Sequence, residues 1–392
     1  MMEQLKIFAK TVEEEALSQI HAMCESEAYR ECTVRIMPDC HVGSSCTIGT
    51  VIKVGGRIVP NTVGVDIGCG MLVAEFKDVN INLEQLDHVV NSLIPSGFNI
   101  HEAPVAAFEA LGQLRCIRDI NQQKALCGIG TLGGGNHFIE VDQDDEGTTY
   151  IVIHSGSRNL GVKVCRHYQE KAVMAATDIS AQVREVIQRL KSEGREKEIQ
   201  QAIAMIERPA PPEHKELAWV EGELLADYLH DMAIAQQYAQ LNRETMLSII
   251  CQAMDLTPDS VFQTIHNYIE MGDDEVILRK GAVSAKKGEL LIIPMNMRDG
   301  SLVCRGKGNG DWLCSAPHGA GRLMSRSTAH ETISLEQFQA SMQGIYSTSV
   351  CAETIDESPM VYKPMQEIME CIQPTVDILK IIRPIYNFKA KG

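Results

Sequence analysis

The first clear pattern in the chain is a series of short apolar runs joined by glycine turns. These runs are rich in β-branched residues and alternate in polarity, a pattern that predicts strands. They cover residues 34–37, 49–54, 57–59 and 71–76. Leucine and valine then recur at helical spacing from Leu83 to Leu93, which predicts helix within about 82–125. Strands are predicted again at 138–141 and 149–154, joined as a hairpin by an acidic turn.

From about residue 162 to 254 glycine nearly vanishes, and Ala, Glu, Gln, Leu and Lys dominate. This composition predicts helices, broken by Pro209-Ala-Pro-Pro. Strands resume at 262–266, 281–283, 290–294 and 301–304, and a helix over 365–380 precedes the tail from Arg383. The predicted fold is α+β, a single compact domain over 1–392 built on β-sheets, with a mostly helical insertion over 162–260.

The composition is that of a globular protein, with 44% hydrophobic and 22% charged residues and a net charge of −16. Such an acidic balance argues against broad binding to a polyanion, so any nucleic-acid partner needs a local basic site or a metal bridge. No signal-peptide layout is visible, and no run approaches the about 20 apolar residues of a membrane span. The 13 cysteines include no CxxC pair. We therefore expect reduced thiols, a cytoplasmic location and no membrane partner.

Five side chains are candidate metal ligands because thiolate, imidazole and carboxylate are the usual ligands of divalent transition metals. They are Asp66, Cys69, His137, His154 and His266. Asp66 and Cys69 share one glycine-rich turn, and the histidines lie beside strand ends or glycine runs. The alternative interpretation is a capping aspartate, a buried cysteine and ordinary structural histidines. His41, in Met-Pro-Asp-Cys-His-Val-Gly, is a weaker candidate.

His318 differs from the other histidines because a proline precedes it and Gly-Ala-Gly-Arg322 follows. An imidazole there is a candidate nucleophile toward phosphorus, with Arg322 and bound metal to stabilise phosphoryl charge. The alternatives are a fourth metal ligand or a structural histidine. Gly306-Lys307-Gly308 lacks the Ser or Thr of a Walker-type loop, and no Lys-x-Asp-Gly motif is present.

Taken together and in order, these segments resemble the RtcB family of RNA ligases from about residue 30 onward. The resemblance rests on seven stretches and the tail from Arg383 to Lys389. The stretches are Met37-Pro-Asp-Cys-His-Val-Gly, Gly64-Val-Asp-Ile-Gly-Cys-Gly, Gly130-Thr-Leu-Gly-Gly-Gly-Asn-His-Phe-Ile-Glu, His154-Ser-Gly-Ser-Arg, His266-Asn, Arg279-Lys-Gly-Ala and His318-Gly-Ala-Gly-Arg-x-x-Ser-Arg.

The resemblance implies a ligase that joins RNA 3′-phosphate or 2′,3′-cyclic-phosphate ends to 5′-hydroxyl ends, using GTP and two Mn²⁺ ions. It implies that Cys69 bridges the ions, that His154 and His266 complete one ligand set, and that Asp66 and His137 complete the other. His318 would carry GMP through a phosphoramidate bond. Splicing of tRNA halves and repair of damaged RNA are both open roles, and an archease-type activator is an expected partner.

The resemblance also implies a binding site for GMP or GTP. Its residues are Asn136, His137, Phe138, Ile139, Glu140, His266, Asn267, Pro294, Met295, Asn296, Met297, Ser301, His318, Gly319, Ala320, Gly321, Arg322, Tyr362 and Lys389. Pro294-Met-Asn-Met-Arg-Asp-Gly departs from the family's usual Pro-Gly-Ser-Met-Gly loop. Two alternatives stay open: a metal-dependent 2′,3′-cyclic phosphodiesterase that does not ligate, and a non-catalytic protein that binds RNA ends.

Overall fold

The computed structural model describes residues 4–206, 214–272 and 275–390. The described strands are β1 (Leu5–Ile7), β2 (Thr33–His41), β3 (Ile48–Val54), β4 (Gly70–Phe76), β5 (Phe138–Gln143), β6 (Thr149–Ser155), β7 (Ser260–Ile265), β8 (Asn267–Met271), β9 (Val276–Lys280), β10 (Ala282–Ser284), β11 (Leu290–Asn296), β12 (Gly300–Gly306), β13 (Ser315–Pro317) and β14 (Val376–Lys389). The described α-helices are α1 (Glu14–Glu25), α2 (Pro60–Val63), α3 (Leu83–Leu93), α4 (Gln122–Cys127), α5 (Arg158–Ala175), α6 (Ser180–Ser192), α7 (Ile199–Ala204), α8 (Gly222–Met254), α9 (Arg326–Thr332), α10 (Leu335–Ser341) and α11 (Met365–Ile372).

Two large sheets carry the fold. The first has five strands in the order β1-β2-β3-β9-β8, and the second has seven in the order β11-β12-β14-β5-β6-β4-β7. All neighbours in the seven-stranded sheet are antiparallel, and its outer strands β11 and β7 approach each other, which curls the sheet toward a barrel. A short pair, β10 with β13, packs beside it. The predicted α+β class is confirmed.

Alternation along the seven strands separates an enclosed face from an outer face. Met71, Val73, Phe138, Val152 and Ile292 point into the enclosed face. The residues between them point outward and pack on helices, because successive side chains of a strand alternate. Helices α3 and α8 cover the strands from β4 to β6 on that side, and α11 covers β11 and β12. The donors discussed below lie at one end of the enclosed face.

In its described part, the glycine-poor stretch forms four α-helices, α5 to α8, between β6 and β7. Helix α8 has 33 residues and packs in two of the hydrophobic cores, whereas α6 and α7 are largely exposed. The insertion boundaries at 162–260 stay a prediction, and the expected proline break at 209–212 lies outside the described residues. Within the described part of the chain, no helix is long and apolar enough to cross a membrane.

Two predicted elements were wrong. The segment 57–59 is not a strand; only Ile58 pairs, in an isolated bridge with Val220. The C-terminal helix ends at Ile372, and the segment predicted as its second half and a tail forms β14, the longest described strand. Pro374 prevents the helix from continuing, and the isoleucines beyond it favour an extended strand between β12 and β5.

Asp142 is a buried carboxyl group inside the curled sheet. It is fully buried on β5, and neither of its oxygens has a hydrogen-bond partner among the described residues. Burial raises the pKa of Asp142, and the nearby Glu140 raises it further. Asp144, just beyond the end of the same strand, differs: burial opposes its charge, yet hydrogen bonds from Lys380 and Tyr150 lower its pKa to about 2.

We expect Asp142→Asn to stabilise the protein increasingly as pH rises. The unfolded chain ionises this group near pH ~3.9, whereas the folded chain holds the proton to higher pH. Unfolding therefore releases a proton, and the parent protein loses stability above that pH by about 1.4 kcal/mol for each unit of pKa difference. Urea denaturation at pH 5 and pH 8 measures the effect.

Asp144→Asn is the matched control, with the opposite sign. The lowered pKa of Asp144 contributes stability that is present above the unfolded value and is lost as pH falls toward about 2. Its replacement should therefore destabilise the protein at pH 8. Equal effects of both substitutions at pH 8 would contradict the assignment of Asp142 as an unpaired buried carboxyl group.

Candidate active site

The five predicted metal ligands lie at one end of the seven-stranded sheet because four adjacent strands begin or end there. Asp66 and Cys69 occupy the turn between α2 and β4, and His137 directly precedes β5. His154 lies near the end of β6, and His266 separates β7 from β8. The register pairs Met71 with His154, His154 with Phe138, and Gly70 with Ile265. Antiparallel pairing therefore brings four distant chain segments to one place.

The donor atoms of these side chains form a continuous series of short contacts. Asp66 Oδ2 lies 3.0 Å from His137 Nε2, which lies 3.4 Å from Cys69 Sγ. Cys69 Sγ lies 3.3 Å from His154 Nε2, and that nitrogen lies 3.4 Å from His266 Nε2. The thiol is central, with one pair of donors on each side. Cys69, His137 and His154 form a group whose ligand atoms all lie within 4.8 Å of one another.

Backbone carbonyls orient two of the imidazoles. His137 Nδ1 donates to the Leu132 carbonyl at 2.9 Å, and His154 Nδ1 donates to the Asn136 carbonyl at 3.1 Å. Each Nε2 therefore presents its lone pair to the thiol, the arrangement that second-partner hydrogen bonds produce in metal sites. Asp66 Oδ1 accepts from the Ser157 backbone N–H at 3.0 Å, which leaves Oδ2 directed toward His137.

The electrostatics of the cluster favour a bound cation. Burial raises the pKa of the Cys69 thiol well above its ordinary value, and the Asp66 carboxylate raises it further. Burial lowers the pKa of His154 and His266, and neighbouring cationic groups lower it further. Burial opposes ionisation of Asp66, but the proximity of His137 and of the Arg158 charge lowers its pKa overall. A soft thiol, lone pairs of neutral imidazoles and one carboxylate fit a divalent transition metal.

Two residues of α8 hold the loops of this cluster, and no pattern in the sequence distinguishes them. Asn242 Oδ1 accepts from the backbone N–H groups of Gly130 and Thr131 at 2.8 and 3.0 Å. Its Nδ2 donates to three oxygens of the glycine loop and of the segment around the end of β6. Arg243 Nη1 donates to the Gly68 carbonyl at 2.9 Å. Two adjacent polar residues in a helix are usually exposed, so only the tertiary structure shows that Asn242 and Arg243 hold these loops.

Glycine is required where the loops meet most closely. A β-carbon at position 156 would lie 2.1 Å from Asp66 Oδ1, well inside van der Waals contact. The loop after β6 reaches Asp66 only because Gly156 has no side chain. The glycine flanks of the histidine segments thus have a packing reason as well as a conformational one.

His318 lies beside this cluster but comes from a different sheet. It follows β13, and its ring lies 4.7 Å from the ring of His266, centroid to centroid. Asp39 Oδ2 accepts from both His318 Nδ1, at 2.7 Å, and the His318 backbone N–H, at 3.1 Å. The tautomer with Nδ1–H leaves the Nε2 lone pair available for chemistry. The sequence singled out His318, but not the role of the fully buried Asp39.

His318 opens onto a cavity of about 640 Å³. The predicted residues that line it are Asn136, Phe138, Glu140, His154, Pro294, Met295, Asn296, Met297, His318, Gly319, Ala320, Gly321, Arg322, Tyr362 and Lys389. Lining residues that were not predicted for nucleotide binding include Glu13, His41, Ser44, Arg326 and Asn387. The cavity is large enough for a nucleotide, since ligand pockets range from about 300 to 1,000 Å³.

A few predicted pocket residues lie elsewhere. Ile139 points to the outer core of the sheet, because it alternates with Phe138 and Glu140 along β5. Asn267 holds the turn of the donor cluster: its Nδ2 donates to the Asp66 carbonyl at 3.2 Å, and its Oδ1 accepts from Gly281 N–H. Ser301 is fully buried within the sheet, and its Oγ has no partner among the described residues. His137 and His266 belong to the cluster rather than to the cavity wall.

The cavity region contains both cationic and acidic side chains. Arg322 Nη1 lies 3.5 Å from Glu357, yet neither terminal nitrogen makes a hydrogen bond within the described chain. A buried guanidinium with unused donors is suited to an anion. Lys389 Nζ pairs with Glu357 at 2.6 Å and lies over the Phe138 ring. Glu140 Oε1 accepts from Asn387 Nδ2 at 2.6 Å.

The loop whose sequence departs from the family's usual one joins β11 to β12 in a hairpin. The register shifts between Pro294 and Asn296, and Asn296 Oδ1 accepts from the backbone N–H groups of Arg298 and Asp299. The Asn296 side chain thus stabilises this turn through two hydrogen bonds with its backbone. Met295 and Met297 remain buried beside the cavity, so its wall here is apolar and closely packed.

Fold and site together define a protein with a buried cluster of candidate metal donors next to a nucleotide-sized cavity. The sequence model described as tRNA-splicing ligase RtcB matches residues 28–115 and 109–390. The chain belongs to the RtcB family.

Relatives in bacteria and archaea match most of the chain. The RNA-splicing ligase RtcB of Escherichia coli K12 is 33% identical over 400 residues, which covers 91% of this chain and 90% of that protein. RNA-splicing ligase RtcB2 of E. coli ATCC 25922 is 26% identical, covering 97% and 93%. The tRNA-splicing ligase RtcB of Aeropyrum pernix is 26% identical, covering 86% and 83%. The match is therefore to whole proteins of this family rather than to one shared segment.

We expect Cys69→Ala to abolish tight metal binding. The substitution removes the central donor, so the loss should exceed the about 10–100-fold that follows loss of an outer hydrogen-bond partner. Cys165→Ala is the control, because Cys165 is equally buried and its thiol donates to the Pro60 carbonyl. Metal content after reconstitution and gel filtration, measured by mass spectrometry, tests this. Equal metal content in the two variants would refute the assignment of Cys69 as a ligand.

Proposed function

We propose that this protein is an RNA ligase that joins 3′-phosphate or 2′,3′-cyclic-phosphate RNA ends to 5′-hydroxyl ends through a GMP adduct on His318. Family membership supports an RNA ligase, since the relatives carry the names RNA-splicing and tRNA-splicing ligase. The observation that carries the proposal is the position of His318. It is oriented by Asp39, opens onto the cavity and lies beside the donor cluster.

The donor cluster is proposed to hold two Mn²⁺ ions. Cys69 lies between the two halves of the series, so Asp66 and His137 would share it on one side, and His154 and His266 on the other. When bound, such ions supply Lewis-acid stabilisation of charge on phosphoryl oxygens. Zinc also suits a thiol and imidazole set, so metal identity depends on availability as well as on geometry.

His318 is proposed as the nucleophile toward the α-phosphorus of GTP. Its Nε2 lone pair forms the phosphorus–nitrogen bond, while the bond from that phosphorus to the bridging oxygen breaks and pyrophosphate leaves with the electron pair. The ring then carries positive charge, which the Asp39 carboxylate stabilises through Nδ1. Arg322 lines the same cavity and has unused donors for phosphoryl oxygens.

Two further steps complete the proposed reaction, after any cyclic phosphate has been opened to a 3′-phosphate by water. An oxygen of the RNA 3′-phosphate attacks the GMP phosphorus, and the bond to His318 breaks. The RNA 5′-hydroxyl then attacks the activated 3′-phosphate, loses its proton and expels GMP. His318 is regenerated, so each joined pair of ends consumes one GTP.

The guanine site is proposed to lie around Glu140, Tyr362 and Lys389. Burial raises the pKa of Glu140 to about 7, and Asn387 and Lys389 limit that rise. Its carboxylate form can accept from the N–H groups on one edge of guanine, which adenine lacks at the ring nitrogen. Glu140 is therefore the proposed source of preference for GTP over ATP. Recognition of an RNA by a chain with net charge −16 would depend on local groups such as Arg322 and Arg326.

The RNA partner is proposed to be either tRNA halves or broken RNA, since both present the same pair of ends. An archease-type activator is proposed as a second partner. Ligation of cleaved tRNA stem-loops and of cleaved unstructured RNA, each with and without such an activator, distinguishes these roles. Higher turnover with the activator would support the proposal that it is a partner, and unchanged turnover would exclude that proposal.

We expect His318→Ala to lose GMP attachment completely. The parent protein, incubated with GTP and Mn²⁺, should gain the mass of one GMP, and the adduct should be labile to acid and hydroxylamine, as phosphoramidates are. Asp39→Asn should still bind GTP but react on the order of 100-fold more slowly, because the imidazole loses its orientation. Intact-protein mass spectrometry over time measures both effects.

His88→Ala serves as the control because His88 is exposed on α3, away from the cavity lining. If the parent protein gains no GMP, or His318→Ala gains as much as the parent, the nucleophile assignment is wrong. A ligation assay on a cleaved stem-loop then separates the alternatives. Opening of cyclic ends without a longer product indicates a phosphodiesterase, and binding of ends without chemistry indicates a non-catalytic protein.

We expect Glu140→Gln to weaken GTP binding and to remove its pH dependence. The carboxylate form grows as pH rises through about 7, so the KM for GTP in the parent should fall between pH 6 and pH 8. An amide side chain does not titrate, so the KM of the variant should change little over this interval. Asp144→Asn, on the same hairpin but outside the cavity, is the control. An unaltered pH dependence in Glu140→Gln would exclude Glu140 as the guanine acceptor.

A further inference from the structure

A fully exposed phenylalanine stands at the rim of a second cavity. Phe98 is 101% exposed, although most large apolar side chains of the described chain are buried. The neighbouring cavity measures about 590 Å³ and includes Phe98 and Lys389 in its lining. We propose that this cavity binds one nucleotide of the RNA strand, with its base stacked on Phe98. The inference rests on the proposed ligase function and identifies where the strand leaves the site of reaction.

The backbone beneath Phe98 is firmly held. Gly97 N–H donates to the Gly133 carbonyl at 2.9 Å, and Leu132 N–H donates to the Pro95 carbonyl at 2.9 Å. Arg158 Nη2 donates to the Gly97 carbonyl at 3.0 Å. Gly97 has a φ of 63°, which suits glycine in this turn. The aromatic ring is therefore exposed on a fixed support, and a stacking platform of this kind needs little ordering when a base binds.

The second cavity offers hydrogen-bonding groups suited to a nucleotide. Asn91, Asn99, Thr348 and Ser349 line it with amides and hydroxyls. Its one carboxyl group, Asp87, is buried and accepts at Oδ1 from Thr348 and Tyr386. Neutral polar groups around an exposed aromatic ring match the way proteins bind single-stranded RNA, by stacking with sequence-tolerant contacts.

Lys389 connects the two cavities. The residue lines both of them, and its Nζ pairs with Glu357. The loop that supports Phe98 is bonded to Gly133, which lies four residues before His137 of the donor cluster. A strand whose end reaches the first cavity can therefore place a neighbouring nucleotide in the second.

The acidic character of the chain makes such a platform useful. With a net charge of −16, the protein gains little from general attraction to a polyanion. Stacking uses the faces of the bases, which every nucleotide has, and needs no basic surface. Phe98 thus provides affinity for an RNA strand where diffuse electrostatics does not.

The test compares Phe98→Ala with Phe98→Trp. We expect Phe98→Ala to raise the Kd for a single-stranded RNA with a 3′-phosphate, and the KM for ligation, by about tenfold. GMP attachment in the absence of RNA should stay within about twofold of the parent value, because the substitution lies outside the first cavity. Phe98→Trp should restore binding, because a larger ring stacks at least as well. Fluorescence anisotropy at several salt concentrations gives the Kd.

Met174→Ala is the control, since Met174 is 64% exposed on α5 and lines neither cavity. The slope of log Kd against log salt should be the same for Phe98→Ala and the parent, because no phosphate contact is lost. Unchanged Kd and KM in Phe98→Ala would overturn the proposal. A defect seen only when an activator protein is added would also overturn it, by indicating a protein-docking surface instead.

The possible outcomes distinguish failure of the proposed ligase function from failure of the proposed stacking site. If the parent protein gains no GMP, the ligase proposal fails, but anisotropy still tests the stacking site directly. If the parent protein gains GMP and Phe98→Ala binds RNA normally, the ligase proposal stands and the stacking site is excluded.

Discussion

Convergence of a thiol, a carboxylate and three imidazoles at one end of the seven-stranded sheet is the constraint on which the rest of the structure depends. Each group alone is costly to bury, because desolvation opposes charge and leaves lone pairs without partners. Here the contacts between successive donors are all 3.0 to 3.4 Å. Such close packing of electron-rich atoms is most stable with a cation among them, so the proposed metal would also stabilise the local fold.

The surrounding chain is built to preserve this geometry. The register of β4, β5, β6 and β7 sets the position of each donor residue at the end of the sheet. Carbonyl groups of the glycine loop set the ring orientations of His137 and His154. Helix α8 then fixes the loops through Asn242 and Arg243, both almost fully buried. A long helix from the glycine-poor stretch is thus part of the site's support. Its polar residues are satisfied by loop backbone, which would otherwise be buried without partners.

Local patterns predicted much of this fold and site, and the failures have physical causes. Alternation predicted strands β2 to β6, and ligand chemistry selected the five side chains that the structure brings together. The helix predicted over 365–380 was too long. Its first part, Met365–Ile372, is helical, but the residues after it form a strand whose two neighbours are distant in sequence. Asp39 and Asn242 were missed because their roles depend on long-range contacts, at separations of 279 and 112 residues. Whether the Ile139 side chain points into the enclosed face or outward could be decided only from the folded sheet.

The proposed nucleophile and the donor cluster belong to different layers, and this division has a mechanistic consequence. The donors lie on the seven-stranded sheet, whereas His318 follows β13 and is held by Asp39 from β2 of the five-stranded sheet. The pair β10–β13 packs between them, in contact with β3 and β7. The proposed metal ligands therefore lie mainly on one layer, whereas the proposed reaction requires both layers to keep their relative position. A substitution in this packing can leave the cluster intact and still slow the reaction, because a displacement of about 1 Å between nucleophile and phosphate costs on the order of 100-fold in rate.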